Sequence, residues 1–107
     1  MYEVIRAIAE PTRLSILQMV RTREMSAGQI AERFADITRP AVSQHLGVLK
    51  KAGLLTEKRE GTSRLYKARP EGFASLKEFL EDFWEPRLQK LKTVVENENQ
   101  EKRGKRG

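Results

Sequence analysis

The chain has 107 residues, no cysteine, a single histidine and a formal net charge of +6. This length fits one domain, and the positive charge permits binding to nucleic acid or another acidic surface without identifying it. The lack of cysteine excludes disulfides, thiolate metal sites and thiol redox sensors, and one histidine excludes a histidine-rich zinc site within one chain. No cofactor is predicted.

No apolar segment approaches the roughly 18 to 20 residues that are needed to cross a membrane. The N-terminus lacks a basic region followed by a long apolar region, so no signal peptide is predicted. We therefore expect a cytoplasmic protein without a membrane partner.

The first predicted helix covers residues 1–9. Val4, Ile5 and Ile8 recur there at helical spacing and give the helix an apolar face. The helix should stop at Glu10, because the residue before a proline is disfavoured in the α region.

A second helix should begin at Pro11 or Thr12 and continue to about Thr22. Arg13 on its polar side could contact a phosphate or could simply be solvated, and both interpretations stay open. The apolar face of this helix is predicted to consist of Leu14, Ile16, Leu17 and Val20.

The third helix should follow a turn at residues 25–27. Ser26 and Gln29 resemble a capping box, in which the two residues exchange side-chain and backbone hydrogen bonds. Ile30, Ala31 and Phe34 are predicted to face inward.

Residues 38–53, T-R-P-A-V-S-Q-H-L-G-V-L-K-K-A-G, predict the helix around which the chain is organised. Thr38 is a good N-cap, and Pro40 lies in the first turn, where its missing N–H costs little. Gly53 stands where a left-handed residue would end the helix.

The two sides of this helix differ sharply. Val42, Leu46 and Leu49 form a narrow apolar stripe. The opposite side has no acid and consists of Arg39, Ser43, Gln44, Gly47, Lys50 and Lys51, with His45 on the flank. Such a face suits the groove of DNA, although a solvated basic helix is the alternative. Together with the preceding short helix it predicts a helix-turn-helix.

After Gly53 the period of the pattern changes from 3.6 to 2. Residues 54–59 and 63–69 predict two strands, joined by a turn in which Gly61 supplies a positive φ. A β-hairpin directly after a helix-turn-helix is typical of a winged helix. Leu65 is expected to pack inward, whereas Tyr66 could pack or contact the DNA backbone.

The predicted wing is rich in cations, which a wing on DNA phosphates or in the minor groove requires. Protection of a sheet edge by basic side chains is the alternative, and the preceding helix favours the wing. These cations are Lys58, Arg59, Arg64, Lys67 and Arg69.

Residues 73–96 predict a long last helix whose apolar face is large for so small a domain. A dimer would bury such a face, and covering the monomer core is the alternative. Pro86 should kink or restart this helix. With the first helix contributing, the predicted dimerisation residues are Val4, Ile5, Ile8, Phe79, Phe83, Trp84, Leu88 and Leu91.

Three separated motifs resemble the ArsR/SmtB family of bacterial transcriptional repressors. They are A-E-P-T-R-L-S-I-L at 9–17, R-P-A-V-S-Q-H-L-G-V-L-K-K-A-G-L at 39–54 and R-E-G-T-S-R-L-Y at 59–66. The resemblance covers about residues 1–95. The form R-P-A-V-S-Q-H-L and the motif F-W-x-x-R-L-x-x-L at 83–91 are similar to those of a metal-independent branch.

The resemblance implies a homodimer that binds an inverted-repeat operator in double-stranded DNA, with first and last helices pairing, and repression that a signal relieves. By position, the residues that match the family's DNA-reading helix are Arg39, Pro40, Ser43, Gln44 and His45, and those that match its wing are Arg59, Thr62 and Arg64. Lys50 and Lys51 complete the predicted DNA-binding set.

The chain departs from the metal-sensing members of this family. Ser26 and Gly28 stand where thiol-bearing members have a C-x-C pair, and the last helix has acidic residues but no histidine. Zinc prefers nitrogen and sulfur ligands, so no metal site is predicted. The effector, a small molecule or a protein, is unassigned.

We therefore predict a mainly α protein with a small β-hairpin, a winged helix-turn-helix with N- and C-terminal dimerisation helices. It should form one domain over residues 1–96, with the wing at 54–69 and a disordered charged tail at 97–107. The predicted function is sequence-specific transcriptional regulation as a homodimeric repressor.

The alternatives are an architectural DNA-binding protein and a winged helix for protein–protein contact. We expect no enzyme, because the only histidine lies on the presumed DNA helix, thiols are absent and no glycine-rich phosphate loop is found.

Overall fold

The computed structural model describes residues 1–84 of the chain. Contacts divide the chain into two compact units, Met1–Leu76 and a second that begins at Lys77. The elements are α1 (Tyr2–Ile8), α2 (Pro11–Met19), β1 (Met25–Ser26), α3 (Ala27–Glu32), α4 (Arg39–Lys51), β2 (Leu55–Glu60), β3 (Ser63–Ala68) and a 3₁₀ turn (Pro70–Phe73), followed by α5, whose described part covers residues 74–84.

Helix α2 begins as predicted but ends earlier, at Met19 instead of about Thr22. The carbonyl of Val20 accepts a hydrogen bond from the Ala68 N–H at 2.9 Å, so the chain leaves the helix to join the sheet. The prediction that Leu14 lies on the buried face was wrong, because 44% of this residue is exposed.

The start of α3 confirms the capping box. The Ser26 hydroxyl accepts from the Gln29 N–H at 3.2 Å, and the Gln29 side chain accepts from the Ser26 N–H at 2.9 Å. Met25 and Ser26 are not only a turn, however, because they form the short strand β1, paired with Tyr66 and Leu65 of β3. The sheet therefore has three antiparallel strands in the order β1-β3-β2.

Both ends of α4 are fixed by local chemistry. The Thr38 hydroxyl accepts from the Ala41 N–H at 3.3 Å. At the other end, Gly53 has φ +79° and donates to the Lys50 carbonyl, and Leu54 donates to the Leu49 carbonyl. These two bonds form a Schellman motif, which requires a left-handed residue at this position.

The β2–β3 hairpin closes with two residues between Glu60 and Ser63. Gly61 has φ +62°, and no non-glycine residue in the described part has a positive φ. This combination suits a type II′ turn, which has glycine at its first central position.

Tyr66 packs against the core, and the inward packing predicted for Leu65 was wrong. Neighbouring residues of a strand face opposite sides of the sheet, and Tyr66 lies opposite the buried Met25.

Helices α1–α4 and strands β1 and β2 contribute side chains to one buried core, against which Tyr66 and Ala68 of β3 pack. Val4 is only 7% exposed and packs in this core, and its predicted role in a dimer interface stays a prediction. Full burial of one such aliphatic side chain stabilises the fold by about 1.5–3 kcal/mol. The core residues are Val4, Ala7, Ile16, Leu17, Val20, Met25, Ile30, Val42, Leu46, Leu49, Leu54 and Leu55.

Helix α5 presents aromatic side chains to solvent. Phe79, Phe83 and Trp84 are 49%, 71% and 45% exposed, and the Phe83 ring packs edge-on against Trp84 with centroids 5.5 Å apart. The predictions for Pro86, Leu88, Leu91 and the charged tail lie outside the described residues, as does the domain boundary at 96. Within residues 1–84, no helix is long and apolar enough to cross a membrane.

Candidate nucleic-acid interface

Helix α4 turns its acid-free side to solvent. Val42, Leu46 and Leu49 are buried as predicted. The exposed residues of the opposite side are Arg39, Pro40, Ser43, Gln44, Gly47, Lys50 and Lys51. Ser43 and Gln44 lie side by side in the first half of the helix. A glutamine can bond both to N6 and to N7 of adenine, and serine can donate or accept, so this face can read base edges.

The N-terminal end of α4 lies against α3. A β-carbon on Gly28 would stand 3.7 Å from the Cζ atom of Arg39. The Arg39 guanidinium therefore lies over the first turn of α3, the first helix of the helix-turn-helix. From there it can bond to a guanine or to a phosphate.

Two of the predicted DNA-binding cations converge on one carboxylate that the sequence analysis missed. Lys50 Nζ donates to Glu57 Oε2, and Arg64 Nε lies 3.3 Å from Glu57 Oε1. The Glu57 side chain is only 16% exposed. The hydrogen bond from Lys50 and the nearby cations lower the pKa of Glu57, against an opposing effect of desolvation. Glu57 thus fastens α4 to the wing.

The tip of the wing combines exposed side chains with a close pair of like charges. Arg59 and Arg64 are exposed and directly opposite each other across the hairpin. Like charges in such a pair are destabilising unless an anion lies nearby. Thr62 is exposed in the turn between them. Arg69 is employed differently, because its Nη1 donates to the Gly53 carbonyl at 3.2 Å and secures the end of α4.

The sequence left open whether the Arg13 side chain is solvated or contacts a phosphate. In the structure its guanidinium is instead bonded within the protein. Its Nε donates to the Ala7 carbonyl at 2.7 Å and its Nη2 to the Arg6 carbonyl at 3.2 Å, at the end of α1. The Arg13 N–H donates to Glu10 Oε2 at 2.9 Å, and this bond lowers the pKa of Glu10.

His45 is half-buried between α4 and α2. Its Nδ1 lies 3.3 Å from Arg13 Nη1 and 3.8 Å from Glu10 Oε2. Unlike the exposed Ser43 and Gln44, His45 therefore has a contact with Arg13 of α2.

Comparison with known proteins places this geometry in a family. A family model described as a helix-turn-helix domain matches residues 8–58. The HTH-type transcriptional regulator Rv2034 of Mycobacterium tuberculosis is 37% identical over 93 residues, which are 87% of this chain and 86% of that protein. The transcriptional repressor SdpR of Bacillus subtilis is 43% identical over 61 residues, 57% of this chain and 67% of that protein. An ArsR-like transcriptional regulator from Rhodococcus sp. RHA1 superposes with a TM-score of 0.72 at 27% identity over 90% of both chains.

The chain belongs to the ArsR/SmtB family of helix-turn-helix transcriptional regulators. Its function is DNA-binding transcriptional regulation, as the sequence predicted, and its winged helix fold is that of the family. Regulators of this family are not enzymes.

Within this ArsR/SmtB protein, the predicted reading and wing residues lie on two adjoining elements, and Lys50 and Arg64 meet at Glu57. The missed partners were Glu57 and Glu10. The signal for Glu57 was its strand period, since it lies two residues after the buried Leu55 and therefore on the same face of β2. Among the described residues, no group of three or more histidine, aspartate or glutamate side chains is arranged to hold a metal.

Proposed function

We propose that this ArsR/SmtB protein is a homodimeric repressor that binds an inverted-repeat operator through α4 and the wing. The observation that supports it is the exposed, acid-free side of α4 beside the cations of the hairpin. A dimer on promoter DNA would block polymerase sterically. A small-molecule or protein effector would relieve this block.

In this proposal, α4 supplies the contacts to bases. Gln44 reads an adenine edge, Ser43 donates or accepts, and Arg39 reaches a guanine or a phosphate. Pro40 starts the helix next to them, and His45 contacts DNA from the flank.

The remaining residues of the proposed interface contact the DNA backbone. Lys50 and Lys51 on α4, with Arg59, Thr62 and Arg64 on the wing, bind phosphates and fix the orientation of the protein on the duplex. Lys50 and Arg64 exchange their bonds with Glu57 for bonds with phosphate, so Glu57 opposes non-specific binding.

Two exposed apolar surfaces support the dimer. On α1, Tyr2 is 77% and Ile5 38% exposed, and on α5 the rings of Phe79, Phe83 and Trp84 are exposed. Ile8, which is three residues after Ile5 on α1, is half-buried. Two-fold symmetry of the protein would match the symmetry of the operator.

Selection of bound sequences from random DNA at two salt concentrations tests this function. We expect an enriched inverted repeat with half-sites about one helical turn apart. Salt-sensitive binding without an enriched sequence would support the architectural alternative instead. No binding at either salt concentration would favour a protein partner or a ligand that is required for DNA binding.

A further inference from the structure

One guanidinium joins three helices at the flank of the DNA-reading helix. Arg13 of α2 donates from Nε to the Ala7 carbonyl and from Nη2 to the Arg6 carbonyl of α1. Its Nη1 lies 3.3 Å from Nδ1 of His45 on α4. Arg13 thus caps α1 and contacts the reading helix with the same group.

The chemistry of this contact assigns the protons of His45. Arginine is always protonated and only donates, so Nδ1 must accept the hydrogen bond. The competing carboxylate, Glu10 Oε2, is 3.8 Å from Nδ1 and therefore beyond hydrogen-bond distance. A neutral imidazole that accepts at Nδ1 has its proton on Nε2.

The Nε2 atom is available for a partner outside the chain. The His45 side chain is 23% exposed, and its contacts within the described residues are made by Nδ1. No buried side-chain nitrogen or oxygen in residues 1–84 lacks a partner. Among residues 1–84, Nε2 therefore has no hydrogen-bond partner and is not counted as buried, and His45 lies next to Gln44 on α4.

We propose that Arg13 is a positioning residue for DNA binding, which holds His45 in the tautomer whose Nε2–H donates to a phosphate or base acceptor. The inference rests on the proposed function, in which α4 faces DNA. Arg13 itself does not touch the DNA. Because the same guanidinium holds the end of α1, a movement of α1 changes the hydrogen bond that orients His45.

A double-mutant cycle on the selected operator tests the coupling. We expect Arg13→Gln and His45→Ala each to weaken binding roughly threefold to tenfold, the effect of one hydrogen bond. The double variant should bind no more weakly than His45→Ala alone. Arg21→Gln, which removes an exposed charge beyond the other end of α2, is the matched control and should retain the wild-type affinity.

The salt dependence separates positioning from direct contact. If Arg13 acts through His45, Arg13→Gln leaves the slope of log K against log salt unchanged. A slope that falls by about 0.9 would show a lost phosphate contact by Arg13, and losses that multiply in the double variant would show independent action. Either result overturns the proposal.

A spectroscopic measurement on the unaltered protein avoids any folding defect of the variants. His45 is the only histidine of the chain, so its imidazole ¹⁵N resonances are assigned without ambiguity. At pH 8 we expect an unprotonated Nδ1 and a protonated Nε2, and a change of the Nε2 resonance when operator DNA is added. A proton on Nδ1, or an Nε2 resonance that operator DNA does not change, overturns the proposal.

Arg13→Lys provides the conservative comparison. Lysine retains the charge but cannot bond to Ala7, Arg6 and His45 as the planar fork does, so the affinity should fall as in Arg13→Gln. Full affinity of Arg13→Lys would overturn the role of the fork. Gln44→Ala on the same operator reports on the proposed function separately, because its loss does not depend on Arg13.

Discussion

Lys50 on the reading helix donates a hydrogen bond to Glu57 on the first strand of the wing. Arg64 from the second strand reaches the other oxygen of the same carboxylate at 3.3 Å. Two cations that we assign to phosphate contacts are therefore already paired in the free protein. A phosphate can bind them only in competition with Glu57.

The first prediction concerns this competition. Glu57→Gln should tighten binding to random DNA severalfold, because Lys50 and Arg64 lose their anionic partner. One or two more cations can then bind phosphates and release counterions from the DNA. The slope of log K against log salt should therefore steepen by roughly one to two. Titration of a labelled random duplex at several salt concentrations measures both quantities. Glu24→Gln makes the same change of net charge at an exposed residue outside the wing, and an equal effect of this control would contradict the prediction.

The second prediction concerns the pH dependence of stability. Lys50 and the neighbouring arginines lower the pKa of Glu57 below its ordinary 4.5. A carboxyl with a lowered pKa in the folded state stabilises the fold fully above its unfolded pKa, and this contribution is lost as the pH falls through the folded pKa. The wild type should therefore be more stable than Glu57→Gln at pH 6–8, and the difference should shrink as the pH falls below about 4.5.

Urea unfolding of both proteins between pH 7 and pH 3 checks this dependence. Comparing the two removes the parallel contribution of Glu10, whose pKa is also lowered and which is present in both. A difference in the free energy of unfolding that grows toward acidic pH would have the wrong sign for this ion pair.

The third prediction concerns the close approach of two glycines. A β-carbon on Gly72 would lie 2.8 Å from the carbonyl carbon of Gly53 and nearer still to its oxygen. These atoms are backbone, at the Schellman motif that ends α4, and cannot rotate away. Gly72→Ala should lower the free energy of unfolding by about 1–3 kcal/mol, the usual effect of overpacking, measured by denaturant unfolding.

Gly47→Ala is the control for this substitution and should have the opposite sign. Nothing lies within 4 Å of the position of its β-carbon, and the residue is inside a helix. Alanine should stabilise such a position by about 0.5–1 kcal/mol. An unchanged or increased stability of Gly72→Ala would contradict the steric prediction.

The sequence predicted those features of the fold that depend on neighbours along the chain. Thr38 and Gly53 bound α4 through contacts within a few residues, and Ser26 with Gln29 starts α3 in the same way. The hairpin turn required only a glycine between two alternating segments. Such features can be predicted because all the residues that form them are close together in the sequence.

The features that sequence analysis missed depend on residues far apart in the chain. A two-residue strand is too short to show an alternating pattern. Met25 belongs to a strand only because it pairs with Tyr66 of β3. Arg13 contacts His45, which is 32 positions away in the chain. The period of α2 also placed Leu14 inward, although its neighbours in space leave it exposed.

Gln44 provides the sharpest test of whether α4 recognises DNA bases. It is exposed beside Ser43 on the acid-free side of α4, where an amide can bond twice to adenine. Gln44→Ala should weaken binding to the selected operator by about 1–3 kcal/mol and leave binding to random DNA unchanged. Lys51→Ala removes an exposed charge on the same helix. It should weaken binding to operator and random DNA alike and flatten the salt dependence of binding. Competition titrations with both duplexes measure the ratio, and equal losses for Gln44→Ala would exclude a base-reading role, since a lost backbone contact does not distinguish sequences.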